Sequence, residues 1–306
     1  MTADQERTLS PPVASRSVVP YILAMRPKQW MKNVLVFAAL VFSENLFDLV
    51  LIVEVTTAFF CFCMASSAVY LLNDLRDRES DRRHPVKQFR PIAAGQVAPE
   101  HAMVMTAILA VVALSIGFFI TPAFAGVLAG YMLLNISYSM YLKHFVIIDV
   151  FAISAGFVLR AAGGAVVLSV PISPWLYVCT IVLSLFIGFG KRRSELILLE
   201  DDAGSHRKNL DEYSALLLDQ YIIVTAGATV MAYSLYTVVA PNLPANHLMM
   251  ATIPFVLYGI FRYLFLVHQR QEGGAPEQLI LTDLPLLGSV FLWGMTSIVI
   301  LYGPWA

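Results

Sequence analysis

Nine stretches of this 306-residue chain are apolar for long enough to cross a lipid bilayer, and that leaves few folds open to it. They lie near 33–49, 51–72, 101–120, 122–142, 145–168, 173–192, 217–239, 246–268 and 284–303, each bounded by polar residues or by Gly and Pro. About 20 apolar residues in a helix cover the roughly 30 Å of hydrocarbon. Within that layer backbone N–H and C=O groups must satisfy one another, which a helix does inside a single segment. The stretches therefore predict an all-α, polytopic integral membrane protein with nine transmembrane helices. A mean hydropathy of +0.71 with only 13% charged residues excludes a soluble domain.

Lys and Arg gather in alternating connections: Arg26, Lys28 and Lys32; residues 76–90; Lys143; residues 191–208; and Arg270. The positive-inside bias makes those connections cytosolic. The opposite connections, around 43–48, 119–124, 168–174 and 240–247, carry neither residue, and nor does the C-terminal Tyr302-Gly303-Pro304-Trp305-Ala306. An odd number of spans from a cytosolic N-terminus puts that end outside, in agreement. Residues 1–20, polar and without the apolar core of a signal peptide, are expected to be a disordered cytosolic tail, and 21–306 a single transmembrane catalytic domain. Cys61, Cys63 and Cys179 lie in apolar segments without CxxC spacing, which supports neither a disulfide framework nor a zinc site. The six histidines show no paired ligand spacing.

The most chemically specific stretch is Asn73-Asp74-Leu75-Arg76-Asp77-Arg78-Glu79-Ser80-Asp81, at the cytosolic end of the second span. At about 100° per residue Asn73, Asp74, Asp77 and Asp81 fall within one arc of a helix. Like charges so crowded repel unless a cation lies among them, and hard oxygen ligands of this kind suit Mg²⁺ shared with the phosphates of a substrate. A plainer alternative is that the acids pair along the helix surface with Arg78 and Arg82.

Asn73-Asp74-x-x-Asp77-x-x-x-Asp81, followed by Arg90-Pro91-Ile92-Ala93-Ala94-Gly95, resembles the first aspartate-rich motif and following loop of the UbiA superfamily of intramembrane prenyltransferases. The resemblance covers nearly the whole chain beyond residue 20. It implies nine helices around a central cavity open to the cytosolic side, and a Mg²⁺-bound diphosphate at Asn73, Asp74, Asp77 and Asp81. It also implies a second aspartate-rich motif at the end of the sixth span. Here that position reads Lys191-Arg192-Arg193-Ser194-Glu195. Helical spacing puts Lys191, Ser194 and Glu195 on one face, so one acid remains where two are expected, beside three cations able to bind a phosphate directly. Positive-inside anchoring, with Lys191 and Glu195 paired at i,i+4, is the alternative.

The segment Arg26-Pro27-Lys28-Gln29-Trp30-Met31-Lys32-Asn33, the turn Tyr138-Ser139-Met140-Tyr141-Leu142-Lys143 and Arg160-Ala161-Ala162-Gly163-Gly164-Ala165 resemble one branch, the decaprenyl-phosphate phosphoribosyltransferases of bacterial arabinan biosynthesis. That branch implies a transferase of the bacterial plasma membrane with its active site facing the cytosol. Its donor is 5-phosphoribosyl 1-diphosphate and its acceptor decaprenyl phosphate. No nucleic acid is implied, and a homo-oligomer is left open. Asp74, Asp77 and Asp81 are the expected catalytic metal ligands, with Asn73 assisting. Lys28, Arg83, Lys191, Arg192, Ser194 and Glu195 are expected to contact substrate. Tyr138, Tyr141 and Lys143 either anchor their helix at the interface or reach a phosphate. Arg160, near mid-span, needs a partner or a polar cavity: it is expected to contact substrate, with an ion pair to Asp149, about three turns earlier on the same face, as the alternative. Gly163 and Gly164 fit close helix packing better than phosphate binding. The rival activities are polyprenyl transfer to an aromatic acceptor and membrane transport. Transport fits less well because the acids cluster at one membrane face.

Overall fold

The computed structural model describes residues 17–171, 173–200, 210, 212–241 and 243–304. The expected tail lies outside the described residues as far as residue 16, as does the 201–209 part of the long basic connection. Among the described residues every regular element is a helix. A short helix α1 (Val19–Ala24) leads into a 3₁₀ segment, Pro27–Phe37, which continues as α2 (Ala38–Phe42). There follow α3 (Leu49–Arg76), α4 (Arg78–Arg83), α5 (Pro99–Ile120), α6 (Pro122–Met140), α7 (Ile148–Val167) and α8 (Pro174–Glu200). The last four are α9 (Ala215–Val239), α10 (Ile253–Gln269), α11 (Pro276–Thr282) and α12 (Leu284–Tyr302).

Among the described residues eight helices are long and apolar enough to cross a membrane. The stretch expected at 33–49 is not an α-helical span, which corrects the first of the nine. The sequence explains why. Trp30, Asn33 and Val36 recur every three residues, and a 3₁₀ helix with three residues per turn stacks them in one row. That row is what packs inward: Trp30 donates to Ser67 Oγ (3.0 Å), Asn33 donates to Cys63 Sγ (3.3 Å), and Val36 is fully buried. At about 2.0 Å per 3₁₀ residue and 1.5 Å per α residue, Pro27–Phe42 still covers about 30 Å.

Capping fixes the helix starts. Asp48 accepts from the backbone N–H groups of Val50 and Leu51, Thr121 from Phe124, Ser214 from Leu217 and Asp283 from Leu286. Each satisfies donors that otherwise lack partners at a helix N-terminus. Two main clusters form the core. One joins the first segment to α3, α5, α6 and α7 around Phe62, Phe124 and Tyr131; the other joins α8, α9, α10 and α12 around Phe186, Tyr263 and Leu266. Gly164 of α7 is the tightest crossing in the first, since a Cβ there would lie 2.0 Å from the Val36 carbonyl oxygen. Gly163 likewise lets the Phe62 ring approach. These glycines serve packing.

Between the two halves lies a cavity of about 1710 Å³. It runs from the charged end, at Asp77, His84, Lys87 and Lys143, to Pro171, Trp175 and Pro241 near the other end. At the seam between the first segment and the α11–α12 pair its wall includes the exposed apolar side chains Met31, Val34, Leu281 and Val290. The seam is pinned at one end by Tyr302, whose hydroxyl accepts from the Leu46 N–H (3.0 Å) and donates to the Val41 carbonyl (2.9 Å). At the other end Glu277 of α11 accepts from Gln29 (2.9 Å).

Candidate active site

The aspartate motif does not form one helical arc. Helix α3 ends at Arg76, Asp77 stands at the break, and Asp81 belongs to the separate α4. The four side chains divide into two pairs. Asp74 is buried and held by Arg26 (2.5 Å) and Arg90 (3.1 Å); Asp81, also buried, is held by the same Arg90 (2.6 Å). One guanidinium thus bridges two carboxylates and ties the 87–90 turn to α3 and α4. The partners considered from sequence are not used: Arg82 pairs with Glu79 (3.1 Å), and the Arg78 Nε is buried without an acceptor. Asp77 and Asn73 do line the cavity. Asp77 lies 3.8 Å from Lys143, and Asn73 accepts a short hydrogen bond from Ser139.

Among the described residues no three acidic, His or Cys side chains converge as a metal site. The donor set still suits Mg²⁺ in the form this ion commonly takes in phosphate-bearing sites, one or two carboxylates completed by water and phosphate oxygens. Asp77 and Asn73 offer oxygens of that kind on the cavity wall. Asp74 and Asp81 face guanidinium groups in this arrangement.

On the opposite half the three consecutive cations diverge, as successive residues of a helix must. Lys191 lines the cavity. Arg192 turns inward and is one of the largest fully buried side chains; it donates to Asp149 (2.7 Å), to Tyr138 (3.0 Å) and, at short range, to Glu195. Arg193 points away toward Asp219, which also meets His268 (3.1 Å). Arg192 is therefore a strut: it fixes Glu195 and Tyr138, both on the cavity wall, and does not itself reach the cavity. Ser194 is buried with its hydroxyl unpaired and is likewise absent from that wall. Lys28, Arg83 and Tyr141 are exposed and outside it, while Tyr138 and Lys143 are on it.

Arg160 lies on the cavity wall but not beside Asp149, whose carboxylate is taken by Arg192. Tyr213 adds a second donor to Asp149 (3.3 Å), and burial pushes its own phenol up to about 12. Arg160 instead donates to Asn33 (2.7 Å), the Gly156 carbonyl (2.8 Å) and Tyr131 (2.7 Å), and stacks over the Tyr131 ring. No carboxylate lies within ion-pair distance of it among the described residues. It joins the first segment to α6 and α7 while keeping a positive charge inside the molecule.

Several cavity residues were not singled out individually from the sequence. Gln29 and Lys32, three residues apart in the 3₁₀ segment, line the cavity together with Arg26 at its N-cap. A helix of 3.6 residues per turn would have fanned them apart. Glu277 comes from a connection far along the chain, and no spacing ties it to Gln29 or to Lys32, 3.6 Å away. Burial pushes its carboxyl up, but Lys32, Gln29 and Lys191 outweigh that and hold it below the usual carboxylate range.

Comparison with known proteins completes the description. The model of the UbiA prenyltransferase family matches residues 33–296. The decaprenyl-phosphate phosphoribosyltransferase of Corynebacterium glutamicum is 35% identical over 288 residues, covering 92% of this chain and 86% of that protein. Its counterpart in Mycolicibacterium smegmatis is 36% identical over 298 residues, covering 92% of each. A UbiA homolog from Archaeoglobus fulgidus, solved bound to GPP and Mg²⁺, superposes with a TM-score of 0.71 at 15% identity, over 92% of this chain and 99% of that one.

Proposed function

Since the chain belongs to the UbiA prenyltransferase family, we propose that it transfers a 5-phosphoribosyl group from 5-phosphoribosyl 1-diphosphate to decaprenyl phosphate, releasing pyrophosphate. The observation that carries this reading is the wall facing Asp77. Where the family resemblance calls for a second acidic set, Lys191 lines the cavity with Glu195 as the one acid, and Lys32 of the first segment lines it as well. A donor with a diphosphate at one end and a phosphate at the other suits a cavity that offers the Asp77 carboxylate for a metal ion and Lys32 and Lys191 for a phosphate.

Asp77, assisted by Asn73, holds Mg²⁺ in this proposal. The ion supplies charge neutralisation for the departing diphosphate. Lys143, 3.8 Å from Asp77, is placed to meet the same phosphates. Lys191 and Lys32 hold the far phosphate, and Glu195 and Tyr138 keep their places through Arg192. An oxygen of the lipid phosphate attacks C1 of the ribose as the C1–O bond to the diphosphate breaks. A phosphate anion is nucleophilic near neutral pH, so no strong general base is required, and positioning dominates. The lipid tail lies along the exposed apolar residues of the seam, Met31, Val34, Leu281 and Val290, with its phosphate at the cavity mouth. In this reading Pro27–Phe42 is the ninth crossing, and the aspartates face the cytosol at a bacterial plasma membrane.

The test supplies purified protein and Mg²⁺ with labelled 5-phosphoribosyl 1-diphosphate and decaprenyl phosphate, or with a prenyl diphosphate and hydroxybenzoate. A lipid-linked sugar phosphate in the first mixture is expected. Product only in the second overturns the proposal.

A further inference from the structure

Glu277 stands where an anion-binding wall has least use for a carboxylate. It lines the cavity, with its side chain 12% exposed, 3.6 Å from Lys32. Its Oε1 accepts from Gln29, while Oε2 is buried without a hydrogen-bond partner. A negative charge among ammonium groups subtracts from their attraction for phosphate. A buried acceptor without a donor adds a cost of its own. Phosphate binding alone accounts for neither.

Both are answered by a ligand that offers phosphate to the lysines and neutral O–H donors to the acid. An ionised carboxylate accepts about four hydrogen bonds, and a partial rotation about its terminal bond, which has a broad profile, turns Oε2 out of its buried position toward the cavity. Adjacent hydroxyls on a furanose ring present two donors at the spacing of one carboxylate. We propose that Glu277 is the specificity-determining residue for the sugar: it accepts hydrogen bonds from the vicinal hydroxyls of a phosphorylated pentose while Lys32 and Lys191 take a phosphate of the same ligand. The assignment rests on the ribosyl transfer proposed above and adds the group that tells ribose from 2-deoxyribose.

The test titrates the full-length protein in detergent micelles, with Mg²⁺, against ribose 5-phosphate, 2-deoxyribose 5-phosphate and inorganic pyrophosphate. Wild type is expected to prefer the ribose compound by about tenfold or more. Glu277→Gln loses that preference, weakens about tenfold for ribose 5-phosphate and holds pyrophosphate within about threefold of wild type. Glu277→Asp keeps the charge but withdraws it by one methylene, and shows the same selective loss. An undiminished preference for ribose in Glu277→Gln, or equal losses for sugar and pyrophosphate, overturns the assignment and leaves Glu277 a strut between α11 and the first segment. Failure of the transfer reading looks different: wild type then binds the ribose compound selectively yet forms no lipid-linked product.

Discussion

Replacing Asp149 with Ala isolates what the buried Arg192 does. The pair is closed to water, with side-chain exposures of 2% for Arg192 and 0% for Asp149 at a separation of 2.7 Å. Removing one partner of such a pair leaves an uncompensated buried charge and costs about 3–5 kcal/mol, whereas replacing both with apolar residues of similar volume is often close to neutral. Because Glu195 stays beside Arg192, Asp149→Ala should lose the lower end of that range, about 3 kcal/mol, and Asp149→Leu combined with Arg192→Met should recover most of it. The assay is unfolding of detergent-solubilised protein for wild type, Asp149→Leu, Arg192→Met and the double, read as a double-mutant cycle, with Asp149→Ala measured beside them. Wild-type stability in Asp149→Ala, or a double variant as unstable as the single, would refute the strut and return Arg192 to the list of substrate contacts. A stable double variant should still turn over slowly, because Glu195 and Tyr138 have lost the group that fixes them.

Asp77→Asn should abolish Mg²⁺-dependent turnover without a change in melting temperature, because Asp77 stands at a helix break on the cavity wall; undiminished activity removes it from the metal site. Gly164→Ala should destabilise by at least about 1–3 kcal/mol, the usual range for overpacking, because the added Cβ meets the Val36 carbonyl at 2.0 Å. A melting temperature equal to wild type would mean that the first segment does not pack as described.

Much of the fold was legible because hydrocarbon allows so few backbone solutions: eight of the nine predicted spans are long helices. The first was misread because apolar length says nothing of helix type. Only the three-residue recurrence of Trp30, Asn33 and Val36, with the same step from Gln29 to Lys32, betrays the 3₁₀ row, and it looks ordinary beside a 3.6-residue pattern. The aspartate motif was visible, but its single arc assumed a helix continuing past Arg76. Where the acids find cations, as Asp74 does with Arg26 and Arg90, depends on chain returns that local spacing does not encode. The run Lys191-Arg192-Arg193 advertised charge, but three consecutive residues point three ways, and only Lys191 meets the cavity. Arg160 and Asp149 share a face of α7 yet go to different partners, Asn33 and Arg192, for the same reason.

The account turns on two unlike walls gripping one donor, and calorimetric titration of wild type and Lys191→Ala with 5-phosphoribosyl 1-diphosphate, then with decaprenyl phosphate, tests it most directly. Lys191→Ala should bind the sugar diphosphate about tenfold more weakly, as loss of a charge-assisted hydrogen bond does, and hold decaprenyl phosphate at wild-type affinity. Equal weakening of both, or no weakening of the sugar diphosphate, would contradict the shared-donor cavity.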